Sequence, residues 1–395
     1  MDVDVAALGE SMVTFLPSRP GRLADVPSFD RAIGGAESNV ACALAAFGHT
    51  ARWVSRVGAD GFGDHLLERI AGYGVDVTAV HRDPGRPTGV YFRTAGDRGT
   101  GAHEVAYYRA GSAASAMSPG NVDLTAARSA RVLHLTGITA ALSDECRELL
   151  HELTAPAPGR PLISFDVNYR PGLWGAGEGA PLLLELARRA DIVFVGADEA
   201  EQAWDVTGGP GAIRRLLPEP AALVVKQGAE GATAFVRPQG AEGATAFVRP
   251  QGAEGATAFA HRLPAGGRAA GAAPVPEKDG TPSAAGRAAD PRPGATPPAF
   301  VPALSTAVVA TTGAGDAFAA GFLSATLRGL TVRDRLRYGH LFAAAALTTP
   351  GDLAAPPARC HADRLAALDD DAWGRLRLGP GWTQAEQAEE EANIP

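Results

Sequence analysis

Short apolar runs and helical periodicity alternate along most of this chain. Val3 to Leu8 is an apolar strand ending in Gly9-Glu10, and Asn39 to Phe47 is an alanine-rich helix closed by Gly48. Trp53 to Val57 predicts the next strand and Phe62 to Tyr73 the next helix. Val132 to Leu135, Leu162 to Asp166, Ile192 to Val195 and Ala222 to Lys226 are nearly continuous apolar runs. Such runs suit parallel strands covered by helices on both faces, because no position then looks to water. The alternation predicts an α/β fold, a three-layer α/β/α doubly wound sheet.

Two segments break that rhythm. Within 11–33 and 88–112 the runs are short and alternating, as in Val90-Tyr91-Phe92-Arg93 and Val105-Ala106-Tyr107-Tyr108-Arg109. They predict antiparallel strands outside the main sheet, a small lid of the kind that closes over a site. A third irregularity is a repeat: Gln227 to Pro238 recurs unchanged at Gln239 to Pro250, and its first nine residues return at Gln251 to Phe259. Three short copies without capping units do not make a solenoid. A duplication inside a surface hairpin fits better, since loop insertions cost little closure entropy. Leu263 to Pro298 is rich in Ala, Gly, Pro and Arg and is expected to be disordered. Residues 239–299 therefore read as repeat plus insertion within a domain spanning 1–360, and 383–395 as an acidic tail.

Bulk properties narrow the partners. A formal net charge of -8 over 395 residues leaves no basic footprint for nucleic acid. Cys42, Cys146 and Cys360 lie far apart without metal spacing, as in a reducing compartment. The acidic start Met1-Asp2-Val3-Asp4 lacks the features of a signal peptide, and no apolar run is long enough to span a bilayer. A cytoplasmic protein without a membrane partner is expected.

The chemistry concentrates at Val308-Val309-Ala310-Thr311-Thr312-Gly313-Ala314-Gly315-Asp316, which reads as a strand, a glycine turn and a helix start. Backbone N–H groups of Gly313, Ala314 and Gly315 at a helix N-terminus converge on an anion. Asp316 stands beside them, so a phosphate cradle has a base at its edge. The same pattern also describes a plain strand-to-helix turn. Upstream, Gly34-Gly35 precedes a helix whose Asn39 offers both a donor and an acceptor, or an ordinary cap.

Taken together, Gly34-Gly35 with Asn39, the Gly58 to Gly63 turn and Thr311 to Asp316 resemble the ribokinase-like sugar kinases of the PfkB family. The resemblance covers nearly the whole chain except the repeat, the insertion and the tail, and implies the ribokinase-like fold. It implies ATP and Mg2+ as cofactors, with Asp316 as base and Gly313, Ala314 and Gly315 as the anion turn. Tyr107 to Ala113, Phe165 to Trp174 and Pro350-Gly351-Asp352 are most similar to the branch that phosphorylates the sugar acid 2-keto-3-deoxygluconate. For the substrate the resemblance implies Gly34, Gly35, Asn39, Tyr91, Tyr107, Arg109, Arg170 and Asp352. Guanidinium groups form bidentate bonds to anions, so Arg109 and Arg170 could pair with the carboxylate of an acidic sugar or with the transferring phosphate. For the nucleotide it implies Asn168, Lys226, Gly228, Gly231 and Thr312. The repeat leaves open which copy supplies the glycines, although only the first directly follows the strand ending at Lys226.

Two departures stand out. Gly196-Ala197-Asp198-Glu199 keeps only the glutamate of the family's Asn-x-x-Glu, so Glu199 is expected to act on magnesium through water. Ala310 replaces an aspartate that helps hold a monovalent cation, which puts potassium in doubt. A homo-oligomer through the lid is expected. A fructokinase or ribokinase, and a non-catalytic sugar-acid sensor, remain open at this point.

Overall fold

The computed structural model describes residues 2–19, 21–94, 104–175, 177–237 and 297–384. The second and third repeat copies, the insertion through residue 296 and the tail from 385 lie outside the described residues.

Fifteen strands are formed among the described residues: β1 (Val3–Leu8), β2 (Met12–Pro17), β3 (Phe29–Gly34), β4 (Ala51–Gly58), β5 (Val80–Asp83), β6 (Val90–Arg93), β7 (Val105–Tyr108), β8 (Ala130–Thr136), β9 (Leu162–Asp166), β10 (Ile192–Gly196), β11 (Ala222–Lys226), β12 (Gly231–Val236), β13 (Ala299–Pro302), β14 (Ser305–Thr306) and β15 (Arg377–Leu378). Nine of them make the main sheet in the order β13-β12-β11-β10-β9-β8-β1-β4-β5. From β11 to β5 every pairing is parallel, whereas β12 and β13 add an antiparallel edge.

The apolar runs pack as their pattern requires. Val5 and Phe194 face one side, where the helices Ala36–Ala46, Ala314–Leu327 and Val332–Leu347 supply Leu44, Phe322 and Phe342. Their neighbours Ala6 and Val193 face the other, against Leu149 and Leu183 from the helices Asp144–Thr154 and Gly179–Arg189. Alternate side chains thus enter separate cores on the two faces, a third cluster gathers around Trp53, and neither face is left for water. Gly321 allows the helices Ala314–Leu327 and Val332–Leu347 to cross closely, since a Cβ there would overlap the Tyr338 carbonyl.

The lid is a separate four-stranded sheet in the order β3-β2-β6-β7. Its outer pairings are antiparallel, as expected, while the central β2–β6 pairing is parallel. Residues beyond 360 join the body, past the expected limit. Trp373 and Trp382 are buried in the first core and donate from Nε1 to Pro302 O and Thr348 Oγ1. The run Val308 to Ala310 is not a strand; Val308 and Val309 are exposed, and pairing stops at Ser305–Thr306 against β15. Apolar character alone did not suffice there, because among the described residues no neighbouring strand pairs with this run. No described helix is long and apolar enough to cross a membrane. Cys42 and Cys146 are buried and Cys360 is exposed.

Candidate active site

The carboxyl ends of parallel strands are where open α/β sheets bind ligands. Here that edge carries Glu10 after β1, Asp166 ending β9, Gly196 ending β10 and Lys226 ending β11. The lid strands β2 and β3 leave and return at the same edge.

The first glycine pair starts the helix Ala36–Ala46, with Gly35 as its cap, so Asn39 sits one turn inside and caps nothing. Its side chain is instead spent on a distant partner: Nδ2 donates to Asp316 Oδ2 at 2.9 Å. Asp316 lies in the first turn of the 14-residue helix Ala314–Leu327, preceded by Gly313 at φ +79°. That left-handed backbone favours glycine, and a Cβ on Gly313 would also overlap the Asp352 carbonyl. The anion turn and the loop around Asp352 are therefore in direct contact.

Lys226 Nζ pairs with Asp166 at 2.9 and 3.1 Å. A Cβ on Gly315 would lie 3.5 Å from that ammonium, which places the cation beside the anion turn. Burial alone would lower the Lys226 pKa, but Asp166, Glu199 and Asp316 hold it above its ordinary value. Burial pushes Asp316 up to about 7; Asn39 and Lys226 oppose the shift, and Asp166 and Glu37 add to it. Glu37 is itself buried, and burial raises its pKa although Thr136 and Thr139 donate to Oε1 at 2.7 Å each.

On the lid side Tyr91 donates its hydroxyl to Asp352 Oδ2. Arg93, two residues along the same strand face, brings Nη2 to 2.7 Å from Asp352 Oδ1. Gly34 makes room, since a Cβ there would overlap both Tyr91 and Asp352. Tyr107 lies 5.4 Å from the Tyr91 ring and is 53% exposed. Arg109 Nη2 pairs with buried Glu10 at 2.5 Å, and Ser112 Oγ donates to the same carboxylate at 2.5 Å. Arg109 Nε is buried with no hydrogen-bond partner among the described residues, a donor left for an acceptor.

Arg170 does not join the lid arginines. Its Nη1 binds Tyr169 O at 3.0 Å and Glu199 Oε1 at 3.3 Å, and the side chain is 55% exposed. Glu199 Oε2 accepts from Gly196 N, capping its own helix. Asn168 adopts φ +42°, with Oδ1 buried and without a hydrogen-bond partner among the described residues. Gly228 at φ +57° and Gly231 at φ +143° form the β11–β12 turn at the site edge. Both belong to the first repeat copy, which is built into the sheet, and β12 then runs away from the site. Thr312 is exposed beside the turn, and Ala310, which has no side-chain oxygen, donates its N–H to Leu347 O at 3.3 Å.

A magnesium ion held mainly by phosphate oxygens and water needs one or two carboxylates within water's reach. Asp166 and Glu199, around adjacent strand ends, have that character. Among the described residues no group of three His, Cys, Asp or Glu is placed to hold a metal directly. A groove of about 810 Å³ runs along the lid between Asp60, Phe62, Thr88 and Tyr108; it shares Tyr107 and Arg109 with the site but does not reach Asp316.

Sequence reasoning missed Glu10, Glu37, Arg93 and Asp166. Each stood in a motif already singled out, but a charged residue in a short run does not reveal whether it is buried. Burial and a distant partner are what mark these four.

Comparison with known proteins agrees with this architecture. A family model described as pfkB family carbohydrate kinase matches residues 3–255 and 297–359. The chain is 30% identical to the 2-dehydro-3-deoxygluconokinase of Bacillus subtilis (strain 168) over 373 residues, covering 93% of this chain and 96% of that one. It is 36% identical to the 2-dehydro-3-deoxygluconokinase of Thermoproteus tenax over 236 residues, 59% of this chain and 72% of the relative. Plant fructokinases match at 28% to 32% identity over 49% to 59% of the chain. The crystal structure of a PfkB protein from Polaromonas sp. JS666 superposes with a TM-score of 0.68 at 28% identity, covering 91% of this chain and 99% of that one.

Proposed function

From the premise that this chain belongs to the pfkB family of carbohydrate kinases, phosphotransferases acting on an alcohol group, we propose that it phosphorylates 2-keto-3-deoxygluconate. The γ-phosphoryl group of ATP passes to the primary hydroxyl, giving the 6-phosphate. The observation that carries this reading is the contact between Asn39 and Asp316 beside the glycine turn. It joins the sugar-side helix to the phosphate-side helix at one carboxylate.

In this reading Asp316 accepts the hydroxyl proton as the new O–P bond forms and the bond to ADP breaks. A carboxylate raised to about 7 suits that role, because a base works best with a pKa near the working pH. General-base help contributes roughly 10²- to 10⁴-fold. The N–H groups of Gly313, Ala314 and Gly315 stabilise charge on the phosphoryl oxygens, and Lys226 adds a cation beside them. Magnesium would neutralise charge on the nucleotide phosphates, and Asp166 and Glu199 are the residues that would hold its water ligands. Asn168, Gly228, Gly231 and Thr312 border the nucleotide. Asp352 and Tyr91 meet sugar hydroxyls, and Tyr107 covers them.

The acidic substrate is supported by Arg109, whose unbonded Nε lies beside the Glu10 ion pair. It is supported further by the two relatives named 2-dehydro-3-deoxygluconokinase. Arg170 in this reading faces the phosphates rather than the sugar, given its contact with Glu199. The plant fructokinase matches favour fructose as the second reading. A coupled ATP-consumption assay across 2-keto-3-deoxygluconate, its galactonate-derived epimer, fructose and ribose separates them. A higher kcat/KM on fructose or ribose than on the acids refutes the acid assignment. The exposed Val105, Tyr107 and Tyr108 of β7 support a homo-oligomer through the lid, which sedimentation of the purified chain checks.

A further inference from the structure

We propose that Arg93 is a positioning residue that holds the Asp352 carboxylate as an ionised acceptor for the sugar, and so ties the seating of the lid to the anion turn. The proposal rests on the kinase reading of this site but not on which sugar is used.

The geometry comes from strand alternation. In β6 the residues Tyr91 and Arg93 share a face, and both reach the same carboxylate: Tyr91 at Oδ2 and Arg93 at Oδ1, 2.7 Å away. Arg93 and Asp352 are 9% and 5% exposed as side chains, so neither charge is relieved by water. A buried charge pair of this kind loses far more when one partner is removed than it contributes in total. On the opposite side, the Asp352 carbonyl lies against Gly313, where a Cβ would overlap it. One residue therefore touches the lid through its side chain and the phosphoryl cradle through its backbone.

The ion pair also has spare capacity. Arg93 Nε is buried with no hydrogen-bond partner among the described residues, and the contact between Arg93 Nη2 and Asp352 Oδ1 is close without hydrogen-bond alignment. The carboxylate is thus held electrostatically while Oδ1 keeps a lone pair for an incoming hydroxyl. Among the described residues the charged and titratable groups facing Asp352 are Tyr91 and Arg93, both from β6; β3 contributes Gly34 and the anion turn contributes Gly313. Burial pushes the Asp352 pKa up, and Arg93 and the Tyr91 hydroxyl are what oppose that shift. Without the guanidinium the carboxyl takes up a proton at a higher pH, and its acceptor role weakens as pH falls.

The test compares Arg93→Met, Arg93→Lys, Asp352→Asn and the double variant Arg93→Met/Asp352→Asn with the wild type. The sugar used is whichever the wild type turns over best, so failure on 2-keto-3-deoxygluconate leaves this test intact. Arg93→Met is expected to raise KM for the sugar about tenfold or more, the loss typical of one charge-assisted hydrogen bond. KM for ATP is expected to stay within about twofold. Sugar kcat/KM in this variant rises with pH across the neutral range relative to wild type, and Arg93→Lys restores most of the loss. The double variant is no worse than Asp352→Asn alone. Equal rises in both KM values with an unchanged pH profile overturn the proposal, as does additivity in the double variant. If Arg93→Met does not fold, Arg93→Lys and the double variant, which buries no unpaired charge, still read the coupling. Calorimetric titration of sugar without ATP reads it where turnover is slow.

Discussion

Asn39 and Asp316, 277 residues apart, meet through a 2.9 Å hydrogen bond that links the helix after the first glycine pair to the helix after the second. The bond favours the ionised form of Asp316, against burial and against the carboxylates of Asp166 and Glu37.

Replacing Asp316 by Asn is expected to lower kcat by about 10²- to 10⁴-fold with little change in either KM. Steady-state kinetics on purified protein measure it. Turnover near wild type would assign the base elsewhere.

The pH profile of wild-type kcat/KM should show an acid limb near 7, where Asp316 ionises in the free enzyme. Asn39→Ala removes a group that lowers this pKa, so the limb moves to higher pH. An unmoved limb would separate the observed pKa from Asp316.

Stability carries the same signature. A carboxyl whose folded pKa lies above its unfolded value of 3.8 stabilises the fold at low pH, and that contribution is lost as pH rises toward 7. Asp316→Asn should therefore gain melting temperature relative to wild type at pH 8 and gain less at pH 5. A pH-independent difference contradicts the raised pKa.

Lys226→Met leaves Asp166, 2% exposed, without its cation. Breaking a buried pair in this way costs about 3–5 kcal/mol, and denaturant melts should show a loss of that order. In the variants that remain folded, KM for ATP rises while KM for the sugar changes little. Lys226→Met/Asp166→Asn should recover much of the stability without recovering the ATP affinity.

Exchanging sodium for potassium at constant ionic strength is expected to change kcat by no more than about twofold, since Ala310 offers no side-chain oxygen to a hard cation. Ala310→Asp is the complementary variant. A strong potassium activation of the wild type would show that other oxygens hold the ion.

Local chemistry explains what could be read in advance. The strands at Leu162–Asp166 and Ala222–Lys226 were legible to the residue, because burial on both faces keeps the runs mostly apolar, with Ser164 and the strand-end Asp166 and Lys226 as the exceptions. Gly313 was legible because a left-handed turn against a backbone carbonyl admits little else. The lid was legible from its period-two alternation. The expected strand at Val308 to Ala310 failed, as strand formation needs a partner edge that three apolar residues do not announce.

The sequence by itself determined the sheet, the lid and the two glycine starts, since these follow from the spacing of apolar residues and from backbone conformations that neighbours a few positions away dictate. Only the tertiary structure decided the charges. It gave Asp316 to Asn39, Asp352 to Tyr91 and Arg93, Arg109 to Glu10, and Arg170 to Glu199. A charged side chain carries no local mark of its partner, because the energy that selects the pair comes from burial and distance, and both exist only once the chain has closed.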